Sequence, residues 1–306
     1  MVETKNLKAF IFALLACLIW SSGFVIARGV HDLVQPVTLA FWRWMVALVV
    51  IIPIGYSSVR AEWPLIKAHW KYFLFMGVFG VGLFNTMVYT AAHYTSAHNI
   101  AIISSTAPIW TLLIAAIIGI EKLSRYNIGG AICAFSGVLI VISRGKLDKL
   151  FLQEWNYGGK ILLASAFIWA TYCVMLHYKP KGVSLKSFMT IIIAIGVICI
   201  LPFYIWEVIE IAPTPFSLKA WAIYAYLGVA SSIVAWLCWN HSTHILGTVK
   251  AGLVYYTIPV FSSIMAILIL HEPVAIYHLV GFVMIFTGII ISNFKKISLE
   301  VEPLVN

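Results

Sequence analysis

The chain has 306 residues, 62% of them hydrophobic and only 10% charged, with a formal net charge of +9. A soluble domain carries about 25% charged residues. So apolar a chain lacks the polar groups to cover a surface in water, and a lipid bilayer is its expected surroundings. The Lys and Arg residues fall mostly in short connections, so they are read as membrane orientation rather than as a nucleic-acid surface.

A membrane-crossing helix needs about 20 mostly apolar residues. Ten stretches qualify: 9–28, 37–56, 71–93, 98–120, 126–143, 157–178, 186–206, 218–244, 249–270 and 276–294. The first follows Lys5 and Lys8, the form of a cleaved leader. It is read as a span because Ile19-Trp20 returns as Ile168-Trp169, and Ser22 corresponds to Thr171. The second carries Arg43, about 9 Å into the span at 1.5 Å per residue. A guanidinium at that depth costs a few kcal/mol and must face partners inside the bundle. It would bind a substrate carboxylate or phosphate, or serve structurally on carbonyls and headgroups; the structural use is preferred.

On the third stretch Asn85, Tyr89 and His93 are spaced by four and share a face. The fourth, "SSTAPIWTLLIAAIIGIE", holds Pro108, which removes a donor and crowds the carbonyl of Ser104; Ser105 and Thr106 are expected to satisfy that carbonyl. The fifth has a narrow face of Gly130, Ala134 and Gly137. The sixth brings Trp169, and the eighth aligns Trp236, Asn240 and His244. The ninth, "YYTIPVFSSIMAILILHE", repeats the fourth: Thr257, Pro259 and Glu272 stand where Thr106, Pro108 and Glu121 stood. It begins beside Lys250, Tyr255 and Tyr256. The tenth carries Gly281 and Gly288. These small faces are expected to pack onto their own half, with a homodimer contact as the other use.

The 151-residue offset runs without a gap from Gly77/Gly228 to Gly137/Gly288. Five spans per half is an odd number, so the second half must enter the membrane in the opposite sense. The expected fold is all-α, with ten transmembrane helices as two inverted five-helix repeats over 9–143 and 157–294. With the N-terminus inside, Lys and Arg favour the inner connections by thirteen to six, the connection 144–160 being the exception. Inverted repeats place a substrate site between their halves.

The stretches "YTSAHNIAIISSTAPIWTLLIAAIIGIEKLSRYNIGGAICAFSGVLIVIS" (94–143) and "ILGTVKAGLVYYTIPVFSSIMAILILHEPVAIYHLVGFVMIFTGIIIS" (245–292) resemble the EamA-type transporters of the drug/metabolite transporter superfamily. "QPVTLAFWRWMVAL" (35–48) is similar to that family's second helix. The resemblance covers nearly the whole chain. It implies ten helices, two five-helix units, both termini cytoplasmic, a central cavity and peripheral fifth and tenth helices.

The expected function is secondary transport of a small organic metabolite, an amino acid or similar solute, by alternating access. The setting is a bacterial inner membrane. Trp20, Asn85, Tyr89, His93, Trp110, Trp169, Trp236, Asn240, His244, Tyr255 and Tyr256 form an aromatic cavity with polar anchors. The alternative is a carrier of a phosphorylated or lipid-linked anion, with Arg43 and Lys250 as its contacts. His93 and His244 are the candidates for proton coupling, although no membrane-embedded Asp or Glu is expected to help them; exchange or facilitated diffusion is equally open. No cofactor is expected. His241 and His244 lack the further ligands a metal needs, and no nucleophile–base set or paired carboxylates suggest an enzyme. Pro108 and Pro259 are read as break points on helices lining the pathway.

Overall fold

The computed structural model describes residues 2–30, 32–94, 100, 103–120, 124–143, 145–146, 157–270 and 275–293. Glu121 and Glu272 lie outside the described residues. Among these, the chain is helical and contains no strand. In order the helices are α1 (Val2–Gly29), α2 (Pro36–Ala68), α3 (Trp70–Tyr94), α4 (Ala107–Ile117), α5 (Arg125–Ile142), α6 (Tyr157–Tyr178), α7 (Leu185–Glu210), α8 (Leu218–Leu246), α9 (Thr248–Val254), α10 (Thr257–Leu270) and α11 (Ile276–Asn293). Six of them are long and apolar enough to cross a membrane. The outer faces of the long and the shorter apolar helices carry exposed Ile, Leu and Phe side chains, among them Ile117, Ile198, Phe203, Ile209 and Leu279. That exterior is built for lipid, where every backbone group must be bonded within the helix.

Start signals are local. Ser124, Ser184 and Ser217 cap α5, α7 and α8, each accepting a bond from the amide three residues on. Two long helices outrun their apolar stretches. α2 continues to Ala68, beyond the expected end at 56, because Arg60, Glu62 and Lys67 are good helix formers and Pro64 is tolerated. α7 likewise continues to Glu210.

The spans expected over 98–120 and 249–270 are not continuous helices. Each is interrupted by a two-residue turn, at Ser105–Thr106 and at Tyr255–Tyr256, with a new helix beyond it. Pro108 is therefore the second residue of α4 and Pro259 the third of α10. In a first turn a missing donor costs little. Thr106 does not serve the Ser104 carbonyl as expected. Thr106 Oγ1 donates to the Ile103 carbonyl (2.7 Å), and Thr257 Oγ1 donates to that of Val254 (2.8 Å).

α3 and α8 each contain a π-helical stretch, Gly77–Leu83 and Leu227–Val234. Both are places where another helix comes too close for a side chain. A Cβ on Gly77 would meet Ile195 at 2.7 Å and the Ile192 carbonyl at 2.9 Å; on Gly228 it would meet Val46 at 2.7 Å and the Arg43 carbonyl at 2.8 Å. Thus α3 lies against α7, and α8 lies against α2.

α2 and α7 pack side by side and antiparallel. Phe41 stacks on Tyr204 at 4.1 Å near one end, and Gly55 faces Thr190 nearer the other. Each helix also caps its partner. Gln35 offers α2 no side-chain cap; instead, Glu207 of α7 accepts from the Val37 and Thr38 amides at 3.0 and 2.5 Å. At the opposite end, Glu62 of α2 accepts from the Ser184 amide (2.9 Å) and hydroxyl (3.3 Å). Glu207 is only 2% exposed, which corrects the expectation that no acidic side chain is buried within the bundle. Its oxygens meet N–H groups at a helix N-terminus, where an acceptor is favoured.

α5 and α11 pack against each other, not onto their own halves as expected. Gly130 faces Gly288, and Gly137 faces Gly281. A Cβ on Gly288 would lie 2.4 Å from the Gly130 carbonyl oxygen and 2.6 Å from the Ala134 nitrogen. Those neighbours are backbone and cannot step aside. This crossing uses the glycine faces within the chain. Gly288→Val should therefore destabilise the protein by about 2–3 kcal/mol, seen as a loss of monodisperse protein on size-exclusion chromatography in detergent. Wild-type yield and melting temperature would refute the crossing.

Candidate functional site

At the centre, Trp20, Gly23, Arg43, Phe84, Asn85, Tyr89, Trp169, Ser231, Trp236 and Tyr255 enclose a cavity of about 20 Å³. That is room for little more than one water. The aromatic rings form one connected group. Trp20 meets Trp169 edge-on at 5.2 Å, Phe84 stacks on Trp169 at 4.8 Å, and Trp236 meets Trp169 at 5.6 Å. Tyr255 reaches both Trp20 and Trp169, at 6.3 and 6.2 Å. The turn between α9 and α10 is what carries Tyr255 to this place.

Arg43 is 4% exposed, so it does not reach the headgroups. Its Nε donates to Ser232 Oγ (2.5 Å), and its Nη1 donates to Asn85 Oδ1 (2.7 Å) and Tyr89 OH (2.5 Å). Nη2 makes only a long bond to the Ser231 carbonyl, at 3.4 Å. The guanidinium also lies 4.9 Å from the Trp44 ring centre. All of these partners are neutral. The hydrogen-bonded ones come from α3 and α8, so one side chain ties together the two helices that carry the π stretches.

Gly23 and Tyr172 decide where the cavity falls. They stand 149 residues apart, as Trp20 and Trp169 do, while Gly80 and Ser231 stand 151 apart. A Cβ on Gly23 would meet Ser231 Oγ at 2.9 Å, and a Cβ on Gly80 would meet the Tyr172 ring at 2.4 Å. On the Gly23 side two small residues leave space beside Arg43. On the other side the tyrosine ring fills it.

A second cavity, of about 460 Å³, is lined by Leu176, His177, Lys179, Leu185, Asn240, His241, Thr243, His244, Gly247 and Thr248. It lies toward the start of α1, where Ser242 Oγ donates to the Ala9 carbonyl (2.6 Å). Lys179 Nζ, outside the spans, donates to the Val183 carbonyl; burial lowers its pKa, and nearby Glu62 opposes that shift. The wall between the cavities is aromatic. Tyr172 OH donates to Asn240 Oδ1 (3.0 Å), and its ring stacks on Trp169 at 5.3 Å and lies 5.0 Å from Trp236. The far end of the bundle is filled by Trp42, ringed by Tyr204, Phe216, Trp221 and Tyr224 within 6.4 Å.

The structure thus brings Trp20, Arg43, Asn85, Tyr89, Trp169, Trp236 and Tyr255 together, and places Asn240 and His244 at the second cavity. The other candidates lie elsewhere. Trp110 packs edge-on against Phe167. Tyr256 is buried in a separate cluster near Phe135. His93, half-buried at the end of α3, and Lys250 on α9 line neither cavity. Gly23, Phe84, Tyr172, Ser231 and Ser232 were not foreseen. Ser231-Ser232 was the available signal: a hydroxyl pair just beyond Gly228 in an otherwise apolar run. Among the described residues no group of three or more His, Cys, Asp or Glu could hold a metal.

A lipid-facing bundle of apolar helices, holding a buried cation and cavities along its centre, defines a multi-pass integral membrane protein of the transport class. The sequence matches the EamA-like transporter family over residues 7–143 and 156–294. The chain belongs to that family, within the drug/metabolite transporter superfamily, and is a transporter rather than an enzyme. It is 22% identical over 289 residues to the uncharacterized transporter YyaM of Bacillus subtilis, covering 94% of each chain. It is 22% identical to a probable terminal-alkyne amino-acid exporter of Streptantibioticus cattleyicolor, covering 94% of each chain. It is 23% identical to the aromatic amino acid exporter YddG of Salmonella typhimurium, covering 92% of this chain and 95% of that protein. A solved crystal structure superposes with a TM-score of 0.72 at 18% identity, covering 95% of this chain and 98% of its own; the fold is shared.

Proposed function

We propose that this protein is a secondary transporter of a small organic solute, an amino acid or similar metabolite, working by alternating access between two inverted five-helix repeats, 9–143 and 157–294. One observation carries the reading. A guanidinium with only neutral partners is buried beside an aromatic cavity where helices of both halves meet. A buried charge is expensive, and a solute that needs it is the simplest reason to keep it. The paired close contacts of Gly77 and Gly228 support the internal symmetry. The names of two relatives, one an aromatic amino acid exporter and one a probable amino-acid exporter, support the solute class.

With both termini cytoplasmic, in a bacterial inner membrane, the larger cavity opens inward and the rings around Trp42 close the outer side. The Tyr172–Trp236 wall then separates the cavity from the central site. His244 in the larger cavity and His93 at the other end of the pathway are the groups through which protons would couple. The reading as a carrier of phosphorylated or lipid-linked anions is weaker, because Lys250 lines neither cavity and leaves Arg43 as a single anion contact.

The test is a proteoliposome uptake screen over amino acids, nucleosides, sugars, organic cations and organic anions. Saturable uptake of at least one class is expected. A screen with no saturable flux would overturn the transport reading.

A further inference from the structure

Resting on the transport part of that reading, and replacing its amino-acid solute, we propose that the central site selects a solute with one carboxylate, a flat apolar body and no charged amine: an arylalkanoate rather than a zwitterionic amino acid. The first observation is one unpartnered donor beside one that is weakly used. Asn85 is 5% exposed. Its Oδ1 accepts from Arg43 Nη1, which fixes the amide orientation. Its Nδ2 is therefore a donor, and it is buried without a partner. Arg43 Nη2 is nearly as free, with one long contact at 3.4 Å. Both residues line the cavity, and a carboxylate is the small group that accepts from two neighbouring donors at once.

The second observation is charge. Arg43 is the one ionisable cation among the ten lining residues, and no carboxylate is among them. Glu207 of α7 has its oxygens on the Val37 and Thr38 amides at the start of α2, about 8–9 Å from the Arg43 backbone at 1.5 Å per residue. A monoanion neutralises the site. A zwitterion brings a second positive charge close to Arg43 and leaves the site at +1. The remaining lining is mostly aromatic, Trp20, Trp169, Trp236, Phe84 and Tyr255, which suits a flat ring. With only about 20 Å³ now open, those rings must part to admit the body.

Three probes that share a phenyl ring and a short chain separate the charges: 3-phenylpropionate, L-phenylalanine and 2-phenylethylamine. Each is titrated into the purified full-length protein in detergent and followed by calorimetry. 3-Phenylpropionate should bind at least about tenfold tighter than phenylalanine, the equivalent of one lost charge-assisted hydrogen bond, and the amine should not bind. Asn85→Leu should weaken 3-phenylpropionate by about tenfold. Equal or tighter binding of phenylalanine, binding of the amine, or no response to any probe overturns the proposal. If the variant does not fold, the wild-type series still decides. Saturable flux of other solutes without a 3-phenylpropionate response would sink this inference and leave the transport reading standing. Binding of 3-phenylpropionate with no flux of any solute would do the reverse.

Discussion

Arg43→Gln is expected to lower solute uptake in proteoliposomes by about 100-fold or more, and Arg43→Lys to recover little of it. Arg43 makes three short bonds, to Ser232, Asn85 and Tyr89. Hydrogen bonds from a charged group are worth about 1.5–3 kcal/mol each. These bonds hold Arg43, Asn85 and Tyr89 in place for the solute, and removing about 3 kcal/mol of charged-donor interaction from the occupied site exceeds two decades. Glutamine keeps an amide donor but is shorter and uncharged, so it cannot hold Ser232 on one side and Asn85 with Tyr89 on the other. Lysine keeps the charge as a strongly hydrated point and lacks the planar fork that meets acceptors in two directions. Part of the loss would be conformational, because the same side chain joins α3 to α8. Circular dichroism and size-exclusion profiles of each variant separate the two causes. A well-folded Arg43→Gln protein with uptake within about threefold of wild type would make the arginine a structural brace.

Glu207→Ala should cost about 2–4 kcal/mol of stability and lower the melting midpoint in detergent by about 5–10 °C. The mechanism is the loss of a cap supplied from another helix. Alanine leaves the Val37 and Thr38 amides facing a buried site with no acceptor, which costs more than the net value of the bonds removed. Glu207→Gln should cost less, because its amide oxygen accepts one of the two bonds, although the favourable charge at the helix N-terminus is gone. Glu62→Ala should cost least. Ser184 keeps its own capping bond to the Ser187 amide (3.2 Å) whether or not Glu62 is present. The order Glu207→Ala, Glu207→Gln, Glu62→Ala is the measurable outcome, and equal effects at the two ends would contradict it.

The helical architecture was legible because it follows from run length and composition, and these are local. The meeting of Trp20 with Trp169 was also within reach, since the two are counterparts in the halves. What was missed depends on distance in sequence. Glu207 looked like an acidic residue just beyond a span, and nothing near it names Val37 or Thr38, some 170 residues earlier, as its partners. The turns before Pro108 and Pro259 were hidden because a proline reads the same inside a kinked helix as in the first turn of a new one. Trp110 and Tyr256 line neither cavity, since an aromatic on an apolar helix can as easily face a neighbouring helix. The one-sided cavity was legible in principle. Lining up the halves sets Gly23 opposite Tyr172, a ring where its counterpart has a hydrogen.

The cross-helix caps bear on how the chain is made. α2 enters the bilayer with its first amides open and with Arg43 lacking its acceptors on α8. Glu207 is encoded about 170 residues later, and Ser231 and Ser232 nearly 190 later. At about 5–20 residues per second of synthesis, α2 waits roughly 10–40 s for them. During that interval water, lipid headgroups or the insertion machinery must hold those groups. Residues up to 143, made alone, would present an open helix end to lipid and leave Arg43 with only its α3 partners, Asn85 and Tyr89. The natural unit of biogenesis is therefore the whole chain, and α2 reaches its final environment only after α8 has emerged.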